Sequence, residues 1–307
     1  MSAAKGTVGF IGLGTMGWPM AANVVRGGYD VIGLDADPAR AEAWAAEHGA
    51  RAASAAADLA GAEVVVTMLP NGRIVREALL EPAGGVAAAL GEGAVVIDMS
   101  SSEPPLTTAL GPALAEHGVA LVDAPVSGAV MKARDGTLTI MLGGDDEAAI
   151  ERAIPVIETM SERIFRTGPL GSGHAMKALN NYVGGAAFTA TCEALIVGSR
   201  FGLDPAVMIE IMNASTGRNF STSASVPGHL LPRTFDSGFA LSLFTKDIGI
   251  AADLADELGV PAPIARLVHS RMAEANEHVA PGTDHTAAIT WWEQAAGVEL
   301  PVRDPVR

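Results

Sequence analysis

A mostly parallel α/β sheet domain followed by an all-α domain is the fold class this sequence predicts. Three observations lead there. Short β-branched runs alternate with Ala-rich helical stretches in the first half, which implies parallel strands joined by helical crossovers. The runs VVVTM and AVVID are almost wholly apolar, as expected when helices cover both faces of a sheet. Past the cluster Gly168-Pro169-Leu170-Gly171-Ser172-Gly173 no strand-like alternation remains.

In order, strands are expected at 7–11, 30–34, 63–68, 94–98, 120–123 and 138–142. Helices fill the gaps over 16–26, 38–48, 71–80, 106–117 and 146–160. The stretch 172–200 has no proline and reads as one helix of about 43 Å. Further helices are expected over 205–213, 246–258, 263–276 and 285–296. The Gly/Pro cluster sets the expected domains at 1–168, which binds dinucleotide, and 169–307, all-helical, for substrate and oligomerisation.

The chain of 307 residues has room for about two domains. With 49% apolar and 18% charged residues it is expected to build a packed core. A formal charge of −15 argues against nucleic acid and against anionic membrane surfaces as partners. Its one cysteine, Cys192, excludes an intrachain disulfide and a thiolate metal site, and no metal is expected. No apolar run reaches membrane-spanning length and residues 1–6 carry no leader-like segment, so a soluble cytoplasmic protein is expected. Of 20 basic residues only Lys5, Lys132, Lys177 and Lys246 are lysine, so each position that keeps one invites a reason.

The first strand runs into Gly12-Leu13-Gly14-Thr15-Met16-Gly17. In this G-x-G-x-x-G pattern Gly12 allows the tight turn, Gly14 lets backbone approach a pyrophosphate, and Gly17 permits close helix–strand packing. The second strand ends at Asp35, where a carboxylate bonds the adenosine ribose and repels a 2′-phosphate. The nearest basic residue after it is Arg40, so NAD is expected over NADP.

With the loop placed, four blocks make the chain resemble the β-hydroxyacid dehydrogenase family, which includes 3-hydroxyisobutyrate dehydrogenases and tartronate semialdehyde reductases. They are FIGLGTMGWPM from Phe10, DAPVSG from Asp123 with ARDGTL from Ala133, GSGHAMKALNN from Gly171, and KDIGIA from Lys246. Lesser matches are TMLP from Thr67 and IDMSS from Ile97. The resemblance implies a Rossmann-like domain joined by a long helix to an all-helical domain. It implies that Ser127 and Gly128 bind the substrate carboxylate, that Lys177 is the catalytic lysine with Asn181 as its orienting partner, and that Lys246 lies near nicotinamide and substrate. Leu13, Thr15, Met16, Leu69, Pro70 and Ser101 are the further implied cofactor contacts. It also implies dimers or tetramers formed through the helical domain. One departure stands out: the family has two glycines after the serine, and here the pair is Gly128-Ala129.

Lys177 and Asn181 are one helical turn apart and share a face, with Gly184 and Gly185 continuing on about the same side. A proton shuttle needs a group that can lose its proton near neutral pH, which a desolvated Lys can do and Arg cannot. A small β-hydroxy acid such as 3-hydroxyisobutyrate would give its hydroxyl proton to Lys177 as hydride leaves for the nicotinamide. Semialdehyde reduction (tartronate or succinic semialdehyde), L-threonate, serine and sulfonate analogues stay open on the same scaffold. Imine reductases and 6-phosphogluconate dehydrogenases share the architecture, but the former usually lack the lysine and the latter are much longer. A non-catalytic NAD-binding protein is the alternative of another class.

Blander readings suit other residues. His174 reads as a cap or rim residue, Cys192 as packed apolar bulk, and Lys132 as a surface helix position. Asp247 either orients Lys246 or caps the following helix. The segment 215–231, with Arg218 and Asn219, is expected as a pocket-lining loop.

Overall fold

The β-branched runs assemble into one nine-stranded sheet. This computed structural model describes residues 5–81 and 85–303. The chain divides into two compact units with the boundary between Lys177 and Ala178.

The first unit contains β1 (Thr7–Ile11), α1 (Gly17–Arg26), β2 (Asp30–Leu34), α2 (Pro38–His48), β3 (Arg51–Ala52), β4 (Val64–Thr67) and α3 (Gly72–Leu80). It continues through β5 (Val95–Asp98), α4 (Pro104–Ala115), β6 (Ala120–Asp123), β7 (Val126–Ser127), α5 (Ala129–Asp135), β8 (Leu138–Gly143), α6 (Glu147–Ile157) and β9 (Ser161–Gly168). The strand order is β3-β2-β1-β4-β5-β6-β8-β7, with β9 also on β8. Strands β1 to β6 pair in parallel, β8 runs antiparallel to β6 and β7, and β9 is parallel to β8. The chain leaves β1 toward β3 and returns to β4 on the other side. In such sheets the crevice at the carboxyl ends of the strands flanking that reversal receives the ligand.

Alternate residues of each strand feed separate cores on the two faces. Val8, Phe10, Val66, Ile97 and Val122 pack in one, and Ile11, Val65, Val96 and Leu121 in the other. Side chains of Asp37, Asn71 and Asp146 cap α2, α3 and α6 by accepting a first-turn N–H, which fixes where those helices begin.

Several boundaries differ from expectation. β3 and β7 have two residues each, too few to show a period. Helix α6 ends at Ile157, and the next stretch, SERIFRTG, forms β9 with Glu162, Arg163 and Arg166 exposed; its charges hide the strand pattern. Helix α4 starts early because Pro104 and Pro105 already hold helical φ at its first turn. Helix α5 gives Lys132 the surface helix position expected for it.

The second unit takes most of α7 (Ser172–Phe201), then α8 (Pro205–Ala214), α9 (Leu241–Glu257), α10 (Pro263–His278) and α11 (Ala288–Ala296). Its core joins Phe188, Cys192, Leu195, Val226, Ile248, Met272 and Trp292. A Cβ on Gly185 would lie 2.5 Å from Ile248, so that glycine brings α7 close to α9, while Gly184 faces open space. The expected loop 215–231 is largely a π-helical segment, Ser221–Leu230, with Pro227 inside it. Asn219 starts this segment: its Oδ1 accepts from Ser221 N at 2.8 Å and Thr222 N at 3.1 Å, so its side chain is spent on capping. Among the described residues no helix is long and apolar enough to cross a membrane. Residues 1–4, part of the segment read as carrying no leader, lie outside the described residues.

Candidate active site

The glycines of the first loop are set by contact. Gly12 has φ 96°, and a Cβ there would sit 2.4 Å from the Met68 carbonyl oxygen, where β1 and β4 end side by side. A Cβ on Gly17 would meet the Gly12 carbonyl oxygen at 1.8 Å. Gly14 differs: nothing lies within 4 Å of its Cβ position, so the backbone there is open to a ligand. Met16, the residue before α1, gives the helix no side-chain cap, which leaves N–H groups at its start to an anion. Leu13 is buried, Met16 partly so, and Thr15 exposed.

Asp35 stands at the end of β2 and is tied to this loop. Its Oδ2 accepts from Leu13 N at 2.7 Å, and its Oδ1 from Asp37 N at 2.9 Å. Arg40 lies 3.3 Å from Asp35 and 3.8 Å from Asp37, so two carboxylates already match its charge. Across the strand reversal, Leu69 N donates to Ser100 Oγ at 2.9 Å, Pro70 is exposed and Ser101 half-buried. An uncapped helix start, open backbone at Gly14 and a loop-bound carboxylate fit a dinucleotide. A cleft of about 670 Å³ runs from this loop along α1, lined by Arg26, Arg40, His48 and Arg134 among others. Glu47 lines it as well.

Ser127 ends β7, held by pairing with Thr139 of β8. Gly128 follows at φ 140°, where a Cβ would press on Lys132 at 2.7 Å. Ala129 then takes φ 54°, a left-handed conformation uncommon outside glycine. Lys132 is exposed on α5.

The start of α7 is docked on the sheet. Asp123, at the end of β6, accepts from Gly171 N and from His174 N, each at 2.8 Å. His174 is buried, which corrects the rim reading: its Nδ1 lies 2.8 Å from Thr107 Oγ1 of α4. Lys177 follows one turn later and is half-buried.

In the second unit, Asn181 Nδ2 donates to Asp247 Oδ2 at 2.7 Å, and Lys246 Nζ lies 3.1 Å from Asp247 Oδ1. Asn181 and Asp247 are both buried. Because α9 begins at Leu241, Asp247 sits inside a helix and caps nothing. It joins the two side chains instead. Asp123 and Asp247 carry these contacts without a settled role in the sequence reading; the signal for them was their place inside the second and fourth blocks.

The glycine loop at the strand–helix turn and the acidic strand end are the features of a dinucleotide-binding domain. Residues 7–168 match the family model described as the NAD binding domain of 6-phosphogluconate dehydrogenase. Residues 171–292 match the one described as the NAD-binding of NADP-dependent 3-hydroxyisobutyrate dehydrogenase. The chain is 38% identical to 2-(hydroxymethyl)glutarate dehydrogenase of Eubacterium barkeri, over 95% of this chain and 97% of that one. It is 37% identical to 3-hydroxyisobutyrate dehydrogenase of Pseudomonas aeruginosa, over 86% and 90% respectively. A solved structure of Mycobacterium tuberculosis 3-hydroxyisobutyrate dehydrogenase with L-serine superposes with a TM-score of 0.85 at 33% identity, covering 94% of this chain and 99% of that one. The chain belongs to the β-hydroxyacid dehydrogenase family, and it is an NAD(P)-dependent hydroxyacid dehydrogenase.

Proposed function

We propose that the enzyme oxidises a short β-hydroxy acid of the form HOCH2–CHR–COO⁻, with NAD preferred over NADP. The substrates in the names of the relatives, 3-hydroxyisobutyrate and 2-(hydroxymethyl)glutarate, and the L-serine in the solved structure all have this form. They differ only in R, and 3-hydroxyisobutyrate is our first choice. The observation that carries the reading is the Lys177–Asn181 pair, one turn apart on α7, with the Asn181 amide clamped by Asp247.

The domain reading follows the sequence: residues 1–168 hold the dinucleotide, and 169–307 complete the substrate site and form subunit contacts. Leu13, Gly14, Thr15 and Met16 hold the pyrophosphate with the α1 N-terminus, and Gly12 shapes the turn. Asp35 bonds the adenosine ribose hydroxyls, and Leu69, Pro70 and Ser101 line the remaining cofactor surface. A 2′-phosphate would meet the Asp35 carboxylate, and Arg40 is already engaged by Asp35 and Asp37.

Ser127 and the Gly128 N–H bind the substrate carboxylate, with Lys246 adding positive charge. Lys177 takes the hydroxyl proton in its neutral form and returns it as an ammonium in the reverse direction. Asn181 orients the amine and the substrate oxygen. When bound, the nicotinamide supplies the hydride acceptor.

Exposed Val183, Val197 and Phe201 on α7, with Val207 and Ile211 on α8, support a homodimer or homotetramer. We place the enzyme in the cytoplasm. The deciding experiment is an initial-rate screen of 3-hydroxyisobutyrate, L-serine, glycerate, L-threonate and a hydroxysulfonate, with NAD and NADP side by side. Highest kcat/KM on an HOCH2–CHR–COO⁻ acid with NAD is expected. No turnover of any such acid, or a preference for NADP, overturns the corresponding part.

A further inference from the structure

The first turn of α7 is tied to the sheet more firmly than a helix start requires. Both carboxylate oxygens of Asp123 are engaged, Oδ1 by Gly171 N and Oδ2 by His174 N. Asp123 is buried, so the desolvation of its charge is offset by these charge-assisted bonds at the positive end of the helix. Backbone packs on backbone at the same point. A Cβ on Gly173 would lie 2.2 Å from the Met141 carbonyl oxygen, and one on Gly143 2.5 Å from Asp123 Oδ1.

The His174 ring adds a side tie. It reaches Thr107 Oγ1 of α4, and its Nε2 faces Asp98 Oδ2 at 3.7 Å. Asp98 in turn accepts from Thr67 Oγ1 and Ser102 Oγ, each at 2.8 Å, and from Ser100 N at 3.0 Å. Elements β4, β5, β6 and α4 therefore converge on one helical turn. None of these buried groups performs a step in the reaction above.

That turn directly precedes Lys177. Asp123 also pairs with Gly143 of β8, and Ser127, four residues on, pairs with Thr139 of the same strand. One strand thus fixes both the anchor of the lysine-bearing helix and the serine of the substrate cradle.

We propose that Asp123 is a positioning residue for Lys177: by holding the first turn of α7 against β6 and β8, it sets the lysine amine relative to the Ser127–Gly128 cradle. Thr107 acts in the same sense through His174. This rests on the reading of Lys177 as the proton-transfer group. Small displacements of a catalytic group are costly, about 10²-fold in rate for roughly 1 Å.

The test uses the full chain with NAD and its best hydroxy acid. Asp123→Asn replaces one of two acceptors by a donor that faces an N–H. Its kcat is expected to fall by about 10-fold or more, at unchanged NAD affinity and with a KM change under about three-fold. The isosteric Thr107→Val is expected to lower kcat several-fold. In a Lys177→Ala background neither change lowers the residual rate further, which a merely structural role would not produce. Wild-type kcat in an Asp123→Asn variant that binds NAD overturns the proposal, as does an additive loss in the Lys177→Ala background. If Asp123→Asn fails to bind NAD, Thr107→Val decides alone: wild-type kcat there overturns the proposal. Near-normal kcat in Lys177→Ala, in contrast, overturns the Lys177 reading itself.

Discussion

Asn181 donates from Nδ2 to Oδ2 of Asp247 at 2.7 Å, with both side chains buried. A carboxylate only accepts, so the bond decides which way the amide faces and turns Asn181 Oδ1 away as an acceptor. The other Asp247 oxygen lies 3.1 Å from Lys246 Nζ. One buried acid thus orders two residues that the proposed reaction uses, and its own contact with substrate is not required.

Asp247→Asn should therefore act through Asn181. Without the charge the facing amides pair in either orientation, and Lys246 loses the carboxylate charge 3.1 Å from its Nζ. A lost buried charge-assisted hydrogen bond is worth about 1.5–3 kcal/mol, or about 10–100-fold in kcat/KM. Steady-state kinetics with NAD at saturation check this. Values of kcat and KM within two-fold of wild type would refute the orienting role.

Lys177→Arg keeps the charge and removes the ability to become neutral. The proposed role predicts a loss of about 10²–10⁴-fold in kcat, the usual contribution of general acid–base catalysis. NAD affinity, measured by quenching of intrinsic fluorescence, and the thermal midpoint should stay near wild type. Near-normal turnover in this variant would remove Lys177 from the mechanism. The test is pointed because the sequence writes Arg at most basic positions yet keeps Lys here.

What could be read from the sequence was local. Gly12, Gly14, Gly17 and Asp35 sit in one strand–turn–helix–strand unit, so their roles follow from order along the chain. The anchoring by Asp123 could not be read that way: its partners Gly171 and His174 are 48 and 51 residues away. His174 looked like a rim residue because burial is a tertiary property. β9 was hidden by its exposed charges, and the π-helical segment by Pro227 and a run of Ser and Thr. The Asp247 role needed the approach of α7 to α9 that Gly185 permits.

Ala129 is a site of local strain. Its φ of 54° costs a non-glycine residue about 1–2 kcal/mol. Ala129→Gly relieves this but adds unfolded-chain entropy of about 0.5–1 kcal/mol. A net gain of up to about 1 kcal/mol is expected, seen as a rise of about 1–3 °C in the midpoint of the first unit by calorimetry. A lowered midpoint would mean that the methyl group contributes packing that outweighs its strain.

Cys192 should be inert. It is fully buried in the core of the second unit, and burial, helped by Glu293 and Glu193, pushes its thiol well above the ordinary range. A disulfide-exchange reagent at neutral pH should leave the native protein unlabelled and titrate one thiol per chain in guanidinium. Rapid native labelling would show that the helical core opens readily.

His285 gives the second unit an acid-side weakness. Its ring is packed among Phe188, Phe239 and Phe244, with centroids 5.1, 6.1 and 4.9 Å away. Burial pushes the ring below its ordinary 6.5, against the pull of the adjacent Asp284 carboxylate. The unfolded chain then binds the proton more readily than the folded one, so stability rises with pH across that window. The contribution is full above about 6.5 and is lost as pH falls from there toward the lowered folded value. Urea unfolding at pH 7.5 and 5.5 should show a drop in midpoint that His285→Gln reduces. An equal drop in both proteins would assign the acid sensitivity to other groups.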